Sequence, residues 1–210
     1  MITRLDDSQH PEQTLIPLGP IVRLQVQVDP LKSGAKPFQR YDPGNIRPVP
    51  ALAIGPHGVV GIDADGEHID VHHRDHPRSR FRGENGVSIG FTAHYRRMRD
   101  RFGAHLTDGI AGENILVACD EVVTLDDLAG GIVIGEGEAA VAIHEWVVAA
   151  PCAPFTKFGL DLRHDWKPDR TVTEALRFLD NGMRGFYGRH GDERPAVARI
   201  ALGAMVYRRR

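Results

Sequence analysis

The chain has few cysteines, no long apolar run and almost no net charge. Only two cysteines, Cys119 and Cys152, occur in 210 residues, which excludes a small secreted fold held by several disulfides. The formal net charge is −2, so no long-range field attracts nucleic acid, and none is expected as a partner. No apolar run approaches the ~20 residues of a transmembrane helix, so no membrane partner is expected. The first residues lack the apolar stretch of a signal peptide, which predicts a cytoplasmic protein.

Short apolar or alternating segments separated by glycine and proline predict a mainly β protein. The clearest is 22–28, where apolar and polar residues alternate until Asp29-Pro30 should end the strand. With only two or three helices between them, these strands favour a closed β-barrel. The further expected strands are 51–54, 58–62, 87–91, 114–118, 131–135, 139–148 and 196–207.

Two helices are predicted from their end signals. Thr92 should cap a helix that Gly103 ends. The inner face of this helix should carry Tyr95, Met98 and Phe102. The residues 171–174 form a capping box at the start of a second helix, which Asn181-Gly182 should close.

The remaining segments are polar. Residues 1–19 are expected to form a loosely held leader, and residues 20–210 a single domain. The segment 32–50 contains four prolines and two glycines and is predicted to be a surface excursion. The segment 63–86 is almost entirely polar and is interpreted as a functional loop or lid. The terminal residues 208–210, all arginine, are expected to be a solvated tail.

Three stretches occur in an order that carries a family resemblance. The residues 109–117 read GIAGENILV, in which Gly-Glu-Asn precedes a predicted strand. The residues 131–135 read GIVIG and are followed by Pro151-Cys152. The residues 181–189 read NGMRGFYGR ahead of the last predicted strand.

Together with the upstream segments 58–63 and 87–89, these stretches resemble the MOSC domain, named after the C-terminal part of molybdenum-cofactor sulfurase. The resemblance covers 20–207 and is to a stand-alone, bacterial-type member. It implies a closed β-barrel that binds the molybdenum cofactor, a pterin–dithiolene ligand carrying molybdenum. It also implies a cysteine that carries sulfur as a persulfide or ligates molybdenum. Pyridoxal phosphate belongs to a separate domain of the sulfurase, so it is expected only through a partner such as a cysteine desulfurase.

Cys152 is the residue on which the resemblance places this chemistry. Pro151 and Pro154 flank it, which fixes the backbone and favours a rigid turn at the end of a strand. A thiolate there can attack a sulfur donor or ligate molybdenum, because soft sulfur suits such metals. The alternative is a buried, inert cysteine, the role expected for Cys119.

The residues predicted to bind the cofactor are Gly112, Glu113, Asn114, Lys157 and Arg184. The turn amides and Asn114 would bind polar edges of the pterin or its phosphate, while Glu113 accepts hydrogen bonds. A purely structural turn is the alternative. Arg184 would hold the phosphate in a forked geometry, whereas Arg189 is expected in a surface salt bridge.

Two segments depart from the family's pattern. Related chains have a His-Gly-Gly stretch in the polar loop, where this chain has Asp75-His76-Pro77. They also place an arginine just before the Pro-Cys pair, where this chain has Ala149-Ala150. Lys157, five residues after Cys152, is predicted to supply a replacement charge.

Four histidines cluster in the polar segment, at His68, His72, His73 and His76. On a helix three of them would share one face, as zinc sites often require. The surrounding Asp63-Ala64-Asp65-Gly66 and Pro77 favour a loop instead, in which solvated histidines could gate an anionic ligand.

Three functions remain as alternatives. The first is a cofactor-handling protein that carries sulfur or molybdenum on Cys152. The second is a molybdenum-dependent reductase of N-hydroxylated substrates, which needs an electron-donor partner because the chain has no haem, flavin or iron–sulfur motif. The third is a ligand-binding barrel without chemistry.

Overall fold

The fold is mainly β with three helices in the part of the chain that the computed structural model describes, residues 14–36, 38–162, 170–190 and 197–210. The helices are α1 (Thr92–Phe102), α2 (Ala153–Gly159) and α3 (Arg170–Leu179). No helix in these ranges is long and apolar enough to cross a membrane. The strands are β1 (Leu15–Gln27), β2 (Lys32–Ser33), β3 (Arg40–Tyr41), β4 (Ile46–Pro48), β5 (Ala51–Gly55), β6 (Gly58–Asp63), β7 (Gly66–Ile69), β8 (Val87–Phe91), β9 (Ile115–Val117), β10 (Ile132–Ile134), β11 (Val141–Val148), β12 (Phe186–His190), β13 (Ala198–Ala201) and β14 (Met205–Arg209).

Seven of these strands close into a barrel. They lie in the order β14–β10–β11–β12–β8–β9–β1, and β1 pairs in turn with β14. The neighbours run antiparallel except for β8 and β9, which are parallel. Parallel neighbours need a crossover connection, and α1 lies within it. The predicted mainly β fold with a closed barrel and a few helices is confirmed.

The long strand β1 closes the ring. Its first part, Leu15–Pro20, pairs with β14, and Ile21–Leu24 pair with β9. Its last residues, Gln25–Gln27, pair with β4. The register shifts on both sides of Gly19–Ile21 are bulges. A bulge bends a strand, so β1 can pair with different strands along its length.

The second bulge changes which side chains of β1 face the core. Val22 is 48% exposed, whereas Leu24 is 1% exposed. The prediction that the apolar residues of 22–28 share one buried face is therefore wrong at Val22, because an inserted residue shifts the alternation. It is also wrong at Val28, which follows the end of β1 and is 39% exposed. Gln25 and Gln27 are buried as well, and their side chains donate to the loop that precedes β9.

The buried side chains form two clusters. The larger fills the barrel and continues under a second sheet of order β13–β5–β6–β7. The smaller lies among the three helices, and its largest fully buried members are Tyr95, Phe155, Met98 and Leu106. Burying one such side chain contributes ~1.5–3 kcal/mol, so this second cluster anchors α2 and the residue before it, Cys152.

Both predicted helices are present, but their starts differ from the prediction. Phe91 is the N-cap of α1, and Thr92 is already helical. The Thr92 hydroxyl donates to the carbonyl of Cys119 instead of capping. Gly103 ends α1 as predicted, with a φ of 112°. The described part of α3 begins at Arg170, one residue ahead of the predicted capping box.

Several predicted boundaries are wrong. Leu15 to Gly19 belong to β1 rather than to a leader, and residues 1–13 lie outside the described residues. The predicted surface excursion contains β2, β3 and β4. The predicted loop 63–86 contains β7, followed by the buried residues Asp70 and Val71.

The last part of the chain also differs from the prediction. The predicted strand 196–207 is divided into β13 and β14 at a turn. Arg208 and Arg209 extend β14 instead of forming a solvated tail, because the barrel closes there. The Arg208 side chain forms an ion pair with Asp127.

The substitution Gly19→Ala tests how closely the backbone packs where β1 closes the barrel. The φ of Gly19 is +145°, and an added Cβ would lie 1.8 Å from the carbonyl oxygen of Ala118. Because this obstacle is backbone, we expect Gly19→Ala to lower the free energy of unfolding by ~3 kcal/mol. Gly203→Ala is the matched control, since Gly203 has a φ of +83° but open space around it, and we expect ~1 kcal/mol there. Urea denaturation measures both, and equal losses would contradict the steric argument.

Candidate functional site

A cleft of about 620 Å³ lies at the end of the barrel where β1 and β11 finish and β12 begins. It is lined mainly by residues from four segments, 27–41, 71–85, 147–152 and 184–187. Part of the segment 63–86, which was predicted to be a functional loop or lid, lines this cleft. Cys152 and Arg184, predicted separately, meet in this cleft.

Cys152 lies between the end of β11 and the start of α2, and it is half-buried. Its backbone is extended, with a φ of −128°, and Pro154 follows in the first turn of α2. The Cys152 carbonyl accepts from both the amide and the hydroxyl of Thr156, at 3.0 Å each. The turn that the two prolines predict is therefore present. Cys119, by contrast, is buried at the end of β9.

Arg184 provides the positive charge beside Cys152. Its Nη1 lies 3.8 Å from the Cys152 Sγ and donates to the Ala150 carbonyl at 3.2 Å. Its Nη2 donates to the Ala111 carbonyl at 3.3 Å, and its Cζ lies 4.6 Å from the centre of the Phe155 ring. A guanidinium held this firmly attracts negative charge at the sulfur.

The charge at this point therefore comes from Arg184 and not from Lys157, which does not line the cleft. Arg184 follows α3 in the turn before β12, far along the chain from Cys152. Gly185 fixes this turn, because its φ is +94° and an added Cβ would lie 2.3 Å from the Ile89 carbonyl. The antiparallel pairing of β12 with β11 brings the two residues together.

Asn114 and Gly112 lie behind the wall of the cleft rather than on it. The Asn114 Oδ1 accepts from the Ser88 amide at 3.0 Å and from the Ser88 hydroxyl at 2.8 Å. Its Nδ2 donates to the Asp70 Oδ2 at 2.9 Å. The Gly112 carbonyl accepts from the Gln27 side chain at 2.7 Å. These contacts give the Gly-Glu-Asn turn a positioning role, the structural alternative that its sequence left open.

Glu113 is also buried, 4% exposed. The Tyr95 hydroxyl donates to its Oε2 at 2.9 Å and accepts from the Ala111 amide at 3.0 Å. Burial raises the pKa of Glu113 to about 7, against the opposing effects of the Tyr95 hydrogen bond and the Arg184 charge. Glu113 thus supports, through Tyr95, the segment whose Ala111 carbonyl holds Arg184.

A buried pair that the sequence did not predict completes the inner cleft. Asp70 has no exposed surface, and its Oδ2 accepts from the Gln27 amide at 2.7 Å. Its Oδ1 accepts from the His72 amide at 2.8 Å and lies 3.1 Å from the His72 Nδ1. His72 lines the cleft, and its ring centre lies 5.7 Å from that of Tyr187. Because Nδ1 faces Asp70, Nε2 is the nitrogen available to a ligand.

The other histidines of the predicted cluster have separate partners. His68 lies in β7 and pairs with Asp63 at 2.9 Å, and the His76 Nε2 lies 3.2 Å from the Val28 carbonyl. The His73 Nδ1 accepts from the Asp75 amide at 3.1 Å. In the described ranges, no three or more His, Cys, Asp or Glu side chains are grouped to hold a metal ion. The folded backbone therefore disperses a set that is close only in sequence.

The cleft is cationic. Five cationic side chains line it, against one carboxylate, that of Glu84. The cations are Lys32, Lys36, Arg80, Arg82 and Arg184. Since the chain as a whole has a net charge of −2, this concentration is local and favours an anionic ligand. Arg189 lies outside the cleft in a salt bridge with Glu145 at 2.9 Å, as predicted.

Comparisons with known proteins concern the fold. No protein-family model and no curated protein matches the chain. A crystal structure of a hypothetical protein superposes with a TM-score of 0.50 at 13% identity, covering 93% of this chain and 69% of that one. At this identity the likeness shows a shared fold alone.

Two further solved structures superpose less well. The YUAD protein from Bacillus subtilis gives a TM-score of 0.48 at 13% identity, covering 92% of this chain and 94% of that chain. YiiM from Geobacillus stearothermophilus gives a TM-score of 0.45 at 18% identity, covering 92% of this chain and 75% of that chain. Neither likeness adds to what the site geometry says about chemistry.

The raised pKa of Glu113 predicts a pH dependence of stability. Its ordinary value is 4.5 and its value in the folded chain is about 7. The stabilisation from the protonated group is complete below pH 4.5 and is lost as the pH rises through 7, ~3 kcal/mol in all. We expect Glu113→Gln to lack this loss. Between pH 5 and pH 8, the free energy of unfolding of the variant should therefore rise relative to that of the wild type.

Urea denaturation across this pH range measures the difference. Burial lowers the pKa of His94 to about 4, which acts in the opposite direction but equally in both proteins. It therefore cancels in the comparison. If the free energies of unfolding of wild type and Glu113→Gln changed with pH in parallel, Glu113 would ionise normally in the folded chain.

Proposed function

We propose that the chain is a MOSC-type protein that binds the molybdenum cofactor, or a related phosphorylated ligand, in this cleft and carries sulfur on Cys152. One observation carries the proposal, the half-buried Cys152 sulfur in a cationic cleft with the Arg184 Nη1 at 3.8 Å. The motifs that resemble the MOSC domain meet here, because Pro151-Cys152 and the turn at Arg184 both line the cleft.

The residues present fit such a ligand. The Arg184 guanidinium lines the cleft beside the Cys152 sulfur, so a phosphate or another anion bound in the cleft can reach its charge. Cys152 offers a sulfur ligand, and the Arg184 guanidinium places a positive charge beside this sulfur. When bound, the cofactor would supply a redox-active metal that accepts a thiolate. Tyr187 and the His72 ring form a wall against which a flat ring can pack.

Sulfur carriage by Cys152 is a thiol-exchange step. The Cys152 thiolate attacks the outer sulfur of a donor persulfide, and the donor's sulfur–sulfur bond breaks as a new one forms at Cys152. The electron pair of the broken bond leaves on the donor thiolate, which takes up a proton, so no oxidant is consumed. Arg184 stabilises the attacking anion, and the His72 Nε2 is the group of the cleft that can deliver the proton.

Persulfide labelling tests the step. The full chain is incubated with a cysteine desulfurase and cysteine, and persulfides are trapped by alkylation and located by mass spectrometry. We expect one added sulfur on Cys152, and none in Cys152→Ser. We expect Arg184→Gln to slow the loading roughly tenfold, because the charge beside the anion is lost, and Arg184→Lys to restore part of the rate.

Cys119→Ser is the matched control, since it removes the buried thiol and leaves the cleft intact. Loading of Cys119→Ser should equal that of the wild type. Sulfur found on Cys119, or persisting in Cys152→Ser, would contradict the proposed role of Cys152.

A second candidate is molybdenum-dependent reduction of an N-hydroxylated substrate. Cleavage of the N–O bond consumes two protons and two electrons and releases water, so an electron-donor protein is required. The Asp70–His72 pair favours this candidate, because it presents an oriented imidazole at the cleft for proton transfer. Both candidates share the same ligand and the same cysteine.

Metal and pterin analysis separates these candidates from a barrel without chemistry. We expect the chain purified from a cofactor-producing host to contain molybdenum and pterin in equal molar amounts, with the pterin measured by its fluorescence. If Cys152 is a ligand, Cys152→Ser should lose molybdenum. Arg184→Gln should lose pterin as well, since it removes the positive charge at the inner end of the cleft. Neither molybdenum nor pterin in the wild type, together with no persulfide on Cys152, would leave only a ligand-binding barrel.

A further inference from the structure

The segment 107–111, between α1 and β9, contributes to two hollows of the protein. Its Ala111 lines the cleft, whereas Gly109 and Ile110 line a second pocket of about 430 Å³. This second pocket is completed by Arg23 of β1 and by residues of β4 and of the turn before it. We call it the Arg23 pocket, and none of its described lining residues lines the cleft. Small-molecule sites have volumes of roughly 300–1,000 Å³, so this pocket can hold a small ligand.

The Arg23 pocket contains one cation and one carboxylate among its described residues, Arg23 and Asp108. Asp108 is in an ion pair with Arg99 of α1, at 2.5 Å. Arg23, in contrast, donates from its Nε to the Oε1 of Gln25, which is a neutral amide. The charge of Asp108 is therefore offset by a direct contact, whereas the hydrogen-bond partner of Arg23 carries no charge. The pocket thus favours an anion over a cation.

The rest of the pocket is largely apolar. Pro43, Ile46 and Pro48 line one part of it, and Ile110 lines another. Ile46 and Ile110 are half-buried, so each leaves apolar surface in contact with water. A ligand that covers this surface gains the free energy of removing it from water. The pocket therefore combines a guanidinium with apolar walls, which suits a carboxylate on a small apolar body.

Gly109 allows the Arg23 side chain to lie against the segment 107–111. An added Cβ at Gly109 would lie 2.5 Å from the Arg23 Nε and 2.7 Å from the Gln25 Oε1. The φ of Gly109 is +85°, in the region that favours glycine. The Gly109 carbonyl accepts from the Gln25 Nε2 at 2.6 Å. Arg23 therefore contacts this segment both directly and through Gln25.

The same segment contacts the residues around Cys152. The Ile110 carbonyl accepts from the Tyr41 hydroxyl at 2.7 Å, and Tyr41 lines the cleft. The next carbonyl, that of Ala111, accepts from the Arg184 Nη2 at 3.3 Å. The Ile110 side chain packs against the smaller buried cluster, and so does Cys152. Two adjacent carbonyls of one short segment thus connect the Arg23 pocket with the guanidinium beside the sulfur.

We infer that the Arg23 pocket is an effector site for a small apolar carboxylate. The carboxylate binds the Arg23 guanidinium, and the apolar body of the ligand covers the apolar walls. Occupancy fixes the segment 107–111, which holds Arg184 through the Ala111 carbonyl. The site therefore regulates the reactivity of Cys152 from outside the cleft. This inference goes beyond the proposed function and does not depend on it.

A cationic ligand at Asp108 is the rival occupant. Such a ligand would have to displace Arg99, whose Nη1 lies 2.5 Å from the Asp108 Oδ1 and also donates to the Leu106 carbonyl at 3.4 Å. It would also lie in the same pocket as the Arg23 guanidinium, and like charges repel. A carboxylate meets neither obstacle, so an anion is the favoured occupant.

Calorimetric titration of the full chain tests the inference. The probes are benzoate and hexanoate, with acetate, benzyl alcohol and benzylamine as comparisons. We expect benzoate and hexanoate to bind about tenfold more tightly than acetate, which lacks the larger apolar body. Benzoate should also bind about tenfold more tightly than benzyl alcohol, which lacks the charge. Benzylamine should bind no more tightly than benzyl alcohol.

Variants locate the binding site. Arg23→Gln should lower the affinity for benzoate about tenfold, and Arg23→Lys should retain part of it. Ile46→Ala should lower the affinity for benzoate about threefold and leave that for acetate unchanged. Arg199→Gln is the matched control, because it removes an exposed arginine of β13 outside the pocket. Arg82→Gln removes a cation of the cleft and should not change benzoate affinity. Thermal unfolding checks that the variants fold.

Alkylation of Cys152 measures the effect on the cleft. The reaction uses iodoacetamide at fixed pH and the Cys119→Ser variant, in which Cys152 is the one remaining thiol. We expect saturating benzoate to speed the alkylation about fivefold, because Arg184 held beside the sulfur favours the thiolate. Benzoate should not change the rate when Arg23→Gln is added. Acetate at the same concentration is the control for ionic strength.

The inference is overturned if benzoate binds no more tightly than acetate or benzyl alcohol, or if Arg82→Gln lowers benzoate affinity and Arg23→Gln does not. Tighter binding of benzylamine than of benzoate would show a cation site at Asp108 instead. Benzoate that binds through Arg23 but leaves the alkylation rate unchanged would overturn the effector role. None of these results depends on persulfide loading of Cys152, so the inference and the proposed function can fail separately.

Discussion

The carboxylate of Asp70 has no contact with solvent, and its hydrogen bonds join three segments of the chain. It accepts from the amide of Gln27 at the end of β1, from the Asn114 side chain before β9, and from His72 in the cleft. A buried charge is costly unless donors surround it, so these segments can reach their positions only together. The end of the barrel and the inner cleft are therefore one hydrogen-bonded unit.

The same hydrogen-bonded unit positions Arg184, whose positive charge lies beside the Cys152 sulfur. Glu113, next to Asn114, binds Tyr95 of α1, and Tyr95 in turn holds the segment at Ala111 whose carbonyl accepts from Arg184. The Gly-Glu-Asn turn thus acts on Cys152 through other residues, without lining the cleft. This explains why a glycine-acid-amide turn and a distant Pro-Cys pair can belong to one site although nothing in their spacing relates them.

Much of the fold could be predicted, because period and turn signals are local. The strands at 51–54, 58–62 and 87–91 and the end of α1 at Gly103 follow from such signals. The exposure of Val22 could not be predicted, because a bulge depends on the strand paired opposite. The contact of Arg184 with Cys152 could not be predicted from the sequence either. Lys157 was closer in sequence, but the β11–β12 pairing decides which cation meets the sulfur.

The sequence by itself determined the composition of the site, a cysteine between prolines, a Gly-Glu-Asn turn, an arginine between glycines and a polar segment rich in histidine. It also determined the mainly β class, because alternation and glycine placement act over a few residues. Only the tertiary structure decided which of these side chains meet. It dispersed His68 and His76, buried Glu113 and Asn114, and paired His72 with Asp70. Long-range strand pairing and barrel closure set these contacts, and neither is encoded in any short stretch of the chain.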